Sequence, residues 1–246
     1  MKTFKYFLLV ALLPVCNSAF AQYDNEGYYH PEYEPQSQAR YTDYHQTYYE
    51  DYTEDWGIFY LEYSPLQLVS TARGVDNKLF HTATIGYSYV FQLGDSPVYL
   101  DAGLETSGSW FSKRYNDGTK YSMDVYHSKI PVDVVFRWNF SENFAIAPYA
   151  GMYLRYNIYG EEREKDSYGN TQTWELFNSE YTNDDDYNRF QFGYQAGLRL
   201  IIGGCISIGA AWKQDLSSFC TYYDDYTRKE EKEKFQGFTF SLAYCF

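Results

Sequence analysis

Ten charged side chains share one parity in the alternating stretches of this chain, opposite the parity of the apolar residues. Five are acidic and five are basic. They are Glu62, Asp101, Glu105, Lys129, Asp133, Arg137, Arg155, Arg199, Lys213 and Asp215. Because an unpaired charge is costly in a narrow interior, the equal numbers predict a lumen in which these side chains neutralise one another as ion pairs.

Hydrolysis is the other chemistry that the residues suggest. His127 and Ser128 are adjacent, and a histidine base beside a serine nucleophile is a familiar catalytic pair. Adjacent residues of a strand point to opposite faces, however, so these two cannot act together. No Gly-x-Ser-x-Gly element is present. The sequence predicts a protein that is not an enzyme, with no catalytic residue, metal or cofactor.

Strands must position the charges, because the alternation has a period of two. Eight stretches show it: residues 59–64, 82–91, 98–105, 129–138, 146–157, 190–200, 206–215 and 235–246. The last stretch is the clearest, since every second residue is large and apolar up to the final position. Its apolar members are Phe238, Phe240, Leu242, Tyr244 and Phe246.

Composition excludes several classes of protein. The 246 residues include 30 Tyr, yet the mean hydropathy is −0.56. Outside the amino terminus no apolar stretch reaches the roughly 18 residues of a membrane-spanning helix. The net charge of −13 argues against nucleic-acid binding, which needs Lys and Arg for phosphate contacts.

The amino terminus differs from the rest. Residues 1–21 read as a signal peptide, with Lys2 and Lys5, an apolar stretch and a small-x-small cleavage site ending at Ala21. Residues 22–55 hold nine Tyr and nine Asp or Glu against the single Arg40, a composition that predicts a disordered acidic segment. Residues 56–246 form the β domain.

Short and long connections alternate between the strands. Residues 94–97, 139–143 and 203–204 are predicted tight turns, whereas residues 65–78, 111–122, 158–186 and 216–234 are predicted long loops. Short turns at one end and long loops at the other are typical of outer-membrane barrels.

With its signal peptide, strand rhythm and terminal SLAYCF, residues 56–246 resemble the small outer-membrane barrels of the OmpX and OmpA-transmembrane-domain kind, the porin family of Gram-negative bacteria. The resemblance implies an all-β, eight-stranded antiparallel up-and-down transmembrane β-barrel in the outer membrane, with both termini in the periplasm. The acidic segment would then be periplasmic. Expected partners are outer-membrane lipid, the barrel-assembly machinery and a host or cell-surface ligand bound by the loops. The terminal apolar strand would be the insertion signal.

A structural or adhesion-like surface role is the predicted function, with three alternatives left open. They are a narrow ion or solute channel through the charged lumen, an outer-membrane lipid-modifying enzyme using His127, and a soluble lipocalin-like ligand-binding barrel with its apolar parity inside. Cys205 and Cys245 lie on neighbouring strands whose ends meet, so they are either a disulfide or two free thiols.

Overall fold

The structure is a computed structural model and describes residues 55–72, 77–94, 96–141, 143–178, 185–224 and 228–246. The signal peptide predicted for residues 1–21 and nearly all of the segment predicted for residues 22–55 lie outside the described residues, so both stay predictions. No described helix is long and apolar enough to cross a membrane.

Within the described residues, twelve strands form one antiparallel sheet. They are β1 (Trp56–Ser70), β2 (Lys78–Gln92), β3 (Val98–Arg114), β4 (Lys120–Phe136), β5 (Trp138–Ser141), β6 (Phe144–Lys165), β7 (Thr171–Glu175), β8 (Asp185–Tyr187), β9 (Phe190–Ile202), β10 (Ile206–Asp215), β11 (Cys220–Asp224) and β12 (Lys229–Cys245). Strands β1, β2, β3, β4, β6, β9, β10 and β12 follow one another around the sheet, and β12 pairs with β1. The predicted eight-stranded antiparallel barrel is therefore confirmed. Closure leaves none of these eight strands as an unpaired edge.

The wall of the barrel has its apolar parity outside. On β12 and at the residue that follows it, five side chains are each about half exposed, at 49–57%: Phe238, Phe240, Leu242, Tyr244 and Phe246. Apolar side chains of the other strands are exposed on the outside in the same way, among them Leu61, Leu104, Ile130, Leu154, Leu198 and Ile208. A soluble lipocalin-like barrel would have the opposite arrangement, so that alternative is wrong.

Aromatic side chains border this apolar wall at both ends. Trp138 and Phe140 lie at the short-turn end, whereas Tyr126, Tyr156 and Phe190 lie toward the other end, all exposed on the outside. We call the wall between the two aromatic borders the apolar band. Aromatic girdles flanking an apolar band are the arrangement found where a barrel wall meets the two surfaces of a bilayer.

The strands continue far beyond the second aromatic border, which corrects the loop predictions. β1 runs to Ser70, β3 to Arg114, β6 to Lys165, and β12 begins at Lys229. Much of residues 65–78, 111–122, 158–186 and 216–234 is thus paired strand, including the short strands β7, β8 and β11. We call this part of the barrel the outer section.

A β-bulge marks the transition on β6. Tyr126 of β4 pairs with Tyr159 and His127 pairs with Asn157, so Ile158 is an extra residue. A bulge shifts every following side chain to the other face. Gly160 is consequently buried, whereas Tyr159 is exposed. This shift explains why the alternation predicted from the sequence ends at residue 157, although the strand continues to Lys165.

The interior has three layers. An inner core of small and aromatic residues fills the short-turn end, with Ile58, Tyr99, Val135 and Ile201 among its members. An outer core fills the outer section and comprises Leu66, Leu68, Phe80, Phe111, Met123, Val125, Leu176, Phe219, Cys220 and Phe235. Between them lies a layer of charged and polar side chains, which we call the polar waist.

A candidate functional site at the polar waist

Nine of the ten predicted lumen charges lie in the polar waist. They are Glu62, Asp101, Glu105, Lys129, Asp133, Arg155, Arg199, Lys213 and Asp215. Seven of them are buried at 0–4% exposure, and the side chains of Glu62 and Arg199 are slightly more exposed. Strand alternation places them there, because each occupies an inward-facing position of the wall. Eight of the nine charges form ion pairs in the structure. A functional role for this layer stays a prediction.

Glu105 is the centre of the first cluster. Its carboxylate lies 2.5 Å from Lys129 Nζ and 4.0 Å from Lys213 Nζ, and it accepts a 3.0 Å hydrogen bond from Tyr60 Oη. Lys213 Nζ also lies 2.5 Å from Glu62 Oε2. Two carboxylates and two ammonium groups therefore balance across four strands.

Asp215 is the centre of the second cluster and is completely buried. Its Oδ2 lies 2.9 Å from Arg155 Nη1, and its Oδ1 accepts a 2.6 Å hydrogen bond from Tyr153 Oη. Gln191 Nε2 donates to the same carboxylate at 3.2 Å. These hydrogen bonds to the carboxylate offset much of the desolvation cost of burying the two charges, although Arg155 Nε is buried without a hydrogen-bond partner.

The third cluster contains an unequal number of charges. Asp101 Oδ2 lies 2.5 Å from Arg199 Nη1, whose guanidinium stands 4.3 Å from the centre of the Tyr149 ring. Asp133 lies directly opposite Asp101 on the neighbouring strand. It accepts a 2.7 Å hydrogen bond from Gln195 Nε2.

Arg137 is the predicted lumen charge that lies outside the polar waist. It follows the last residue of β4 at the short-turn end, where its guanidinium stands 4.9 Å from the Trp56 ring centre and Nε donates to Asn139 Oδ1 at 3.0 Å. There it lines an opening at the short-turn mouth of the interior together with Trp56, Ile201 and Cys245, away from the other nine charges. The predicted balance of five against five is thus five against four in the waist.

Sequence reasoning did not identify the uncharged members of the waist. Tyr60, Tyr153, Gln191 and Gln195 supply hydrogen bonds to its carboxylates. Their signal was present, because they share the parity of the charges. The tyrosine rings also need room that glycine provides: a Cβ on Gly86 would overlap the Tyr60 ring. In the same way, Gly193 accommodates Tyr153 and Gly197 accommodates Tyr149.

The polar waist is nearly filled, whereas an opening of about 270 Å³ lies at the short-turn end, lined by Trp56, Arg137, Ile201 and Cys245. The cavity lined by Asp133, Gln195, Tyr149 and Ser241 measures about 10 Å³, which is the space of roughly one water molecule. Above it, the outer core closes the lumen with Phe80, Phe219 and other side chains of 0–8% exposure. No three His, Cys, Asp or Glu side chains converge as metal ligands among the described residues.

His127 and Ser128 are separated as strand geometry requires. His127 is buried inside the barrel at 4% exposure, whereas Ser128 lies on the other face of β4.

Cys205 and Cys245 face each other at the short-turn end, where Cys245 N donates to Cys205 O at 2.7 Å, but both thiols are free. Their pairing stays a prediction.

Charged side chains form a row on the outside of the outer section. Asp124, Glu161 and Glu175 form one row across β4, β6 and β7. Arg163 Nε donates to Glu161, and Arg163 Nη2 lies 3.3 Å from Asp124. The hydrogen bond from Arg163 holds the pKa of Glu161 below its usual value, whereas partial burial raises the pKa of Asp124. This surface is suited to water.

Residues 82–209, just over half of the chain, match a family described as outer membrane protein beta-barrel domain. No curated protein matches the chain. The fold is similar to that of the attachment invasion locus protein Ail of Yersinia pestis in complex with the heparin analogue sucrose octasulfate, at 13% identity over 78% of this chain and 99% of that one, with a TM-score of 0.42.

Two further solved structures are similar. Neisserial surface protein A shares 8% identity over 77% of this chain and 96% of its own, with a TM-score of 0.43. The N-terminal β-barrel domain of Pseudomonas aeruginosa OprF shares 10% identity over 77% and 97%, with a TM-score of 0.29. At these identities and TM-scores, none of the three supports a shared ligand or activity.

Proposed function

Because this chain belongs to the outer membrane protein β-barrel domain family, we propose that it is a non-enzymatic surface-interaction protein whose outer section contacts a ligand on another cell. The apolar band is the part that lies in the outer membrane. Outer-membrane lipid and, during insertion, the barrel-assembly machinery are its partners there. In this arrangement the short-turn end and both termini lie in the periplasm, and the outer section projects from the cell.

The contrast between the two ends of the strands is the main support for this proposal: the waist is closed, whereas the outer hairpins are ordered by a hydrophobic core of their own. The cavity in the polar waist offers space for about one water molecule, so a solute cannot pass without rearrangement of the waist. The outer section, in contrast, has its own hydrophobic core, which stabilises strands that no bilayer requires. A protein that only sealed or spanned the membrane would not need that core.

Removal of one hairpin tests the proposal. We would replace residues 113–121 at the β3–β4 tip by an Asn-Gly turn, which suits a two-residue hairpin. Cells producing this variant should lose self-aggregation and binding to an epithelial monolayer, relative to cells producing the full protein. A heat-dependent shift on a detergent gel would show that the shortened barrel is folded. Unchanged binding by this variant, and by variants in which each of the other outer hairpins is shortened in the same way, would contradict the proposal.

Orientation is tested with an impermeant maleimide on intact cells, in a background with Cys205, Cys220 and Cys245 changed to Ser. Asp117→Cys at the β3–β4 tip should be labelled, whereas Asn139→Cys at the short-turn end should be labelled only after lysis. The reverse pattern would place the outer section in the periplasm.

The two open alternatives have their own tests. Planar-bilayer recordings of the purified barrel should show no openings, because the waist and both cores fill the lumen. His127→Ala should leave the lipid A profile of producing cells unchanged, since His127 is enclosed in the barrel and separated from Ser128. Deletion of Phe246 should reduce the heat-modifiable form in outer membranes if the terminal strand is the insertion signal.

A further inference from the structure

The opening at the short-turn end of the interior has no role in the proposed function. It measures about 270 Å³, well above the roughly 150 Å³ of a cavity that holds one benzene molecule. An aromatic ring therefore fits into it. We call it the short-turn opening, and its lining comprises Asp55, Trp56, Arg137, Ile201, Gly204, Cys245 and Phe246.

The floor of the short-turn opening is apolar. Ile201 and Cys245 belong to the inner core, and Trp56 packs against that core. The Trp56 ring also contacts the Tyr99 ring, with 4.8 Å between the two ring centres. Apolar surface that faces water gains free energy when another apolar group covers it. The floor is thus suited to an apolar or aromatic occupant.

The charged residues of the lining favour a neutral ring over an anion. They are Arg137 and Asp55, which balance each other. The Arg137 guanidinium stands 4.9 Å from the Trp56 ring centre, and a planar guanidinium stacks well on aromatic rings. The barrel already uses this pairing with tyrosine, since the Arg199 guanidinium stands 4.3 Å from the Tyr149 ring centre. A tyrosine could contact both the cation and the floor while its hydroxyl stays in water.

The chain itself supplies a tyrosine at the rim of the opening. Asp55 is the first described residue, and it is held at the rim because its Oδ1 accepts a 3.0 Å hydrogen bond from Gln92 N. Residues 50–54 precede it with the sequence EDYTE, in which Tyr52 is the only aromatic residue. A four-residue turn over residues 52–55 would bring the Tyr52 Cα within about 7 Å of the Asp55 Cα. So short a tether keeps the ring at an effective concentration in the millimolar range.

We propose that the Tyr52 side chain docks in the short-turn opening, with its ring between the Arg137 guanidinium and the apolar floor. The docked ring closes this end of the interior and gives the acidic segment a fixed point of departure from the barrel. It also covers Cys245, whose thiol therefore reports on the occupancy of the opening. This docking does not depend on any ligand of the outer section.

Protection of the Cys245 thiol tests the docking. The purified mature protein with Cys205→Ser and Cys220→Ser would be placed in lipid nanodiscs and treated with a water-soluble maleimide. Tyr52→Ala should raise the labelling rate of Cys245 about tenfold, because a ring docked for about nine-tenths of the time leaves the thiol open for the rest. Tyr52→Phe should keep the slow rate, since the ring fills the opening. Tyr28→Ala, far along the same segment, is the control and should leave the rate unchanged.

Photo-cross-linking identifies the occupant directly. On irradiation, p-benzoylphenylalanine at position 52 should form an adduct with a peptide of the same chain that contains Arg137, Ile201 or Cys245, whereas the same group at position 28 should not. Equal labelling rates of Cys245 with Tyr52 and with Tyr52→Ala would overturn the proposal. Adducts only with lipid, or with a second copy of the chain, would also overturn it, because each places the ring elsewhere. If the maleimide labels Cys245 in none of the variants, the adduct decides, and its absence rejects the docking.

Discussion

The apolar band and the outer section are continuous along the same strands but have opposite polarity. In the band, Leu104 and Leu154 face outward and Glu105 and Arg155 face inward. In the outer section, Phe80 and Phe235 are enclosed, while charged side chains such as Asp124 lie outside. The difference shows that the surroundings of a barrel decide its interior. Lipid accepts an apolar wall and so permits a polar lumen, whereas a wall in water requires a dry core.

The two sections also obtain their specificity differently. The waist fixes the relative positions of strands through buried charge pairs, and removal of one partner from such a pair is strongly destabilising. The outer core depends on packed volume, which responds to cavities. Four experiments should distinguish the apolar band and its waist from the outer section. They follow in descending order of expected effect.

The largest effect is expected in the waist, from Asp215→Leu. This change leaves Arg155 buried without its carboxylate, which should cost about 4–5 kcal/mol in the free energy of unfolding. The double variant Arg155→Met with Asp215→Leu should recover most of that loss, because neither charge is then uncompensated. Denaturant titration of the barrel in vesicles measures both. A double variant no better than the single would show that packing, and not charge, dominates the waist.

In the outer core, Phe219→Ala should cost about 3 kcal/mol, because the side chain is fully buried among Phe235, Phe177 and Tyr187. The loss should be local. Hydrogen exchange should accelerate in β11 and the outer half of β12, while the amides of β12 beside the waist keep their protection. Uniform acceleration along β12 would mean that the two sections unfold as one unit.

The outer wall offers a matched pair of substitutions. Met152→Arg introduces a charge into the apolar band and should cost about 2 kcal/mol in lipid vesicles. Ser122→Arg places the same side chain on the outside of the outer section and should change the free energy by less than about 0.5 kcal/mol. Equal costs would show that the bilayer extends over the outer section.

The smallest effect is expected from acid titration of the outer surface. Since Arg163 lowers the pKa of Glu161, this carboxylate contributes stability above its usual titration range, and the contribution is lost as the pH falls through the lowered pKa. Its side chain is partly exposed on the outside of the outer section, and solvent screening there keeps the contribution below about 1 kcal/mol. Glu161→Gln should flatten the acid limb of stability of the outer section, whereas Glu175→Gln, in the same row, should not.

The barrel itself was predictable from the chain because its alternation is regular where lipid surrounds it. Strand number, closure and the inward parity of nine charges followed from that regularity. Arg137 lies at the short-turn mouth of the interior and not among the other nine charges, because alternation gives the face of a strand residue but not its height along the barrel. The outer section was missed for two reasons. Its polarity inverts, so Leu66 and Leu68 looked like loop residues, and the extra residue Ile158 shifts the parity of β6.

The tyrosines of the waist rest on glycines of neighbouring strands, and this has a consequence for inheritance. Gly86 cannot acquire even a methyl group while Tyr60 keeps its ring in place, so a change at Gly86 requires Tyr60 to move or to become smaller first. The same steric restriction links Gly193 to Tyr153 and Gly197 to Tyr149. In descendants of this protein, each pair should covary across the strand boundary, although its members lie many residues apart in the chain.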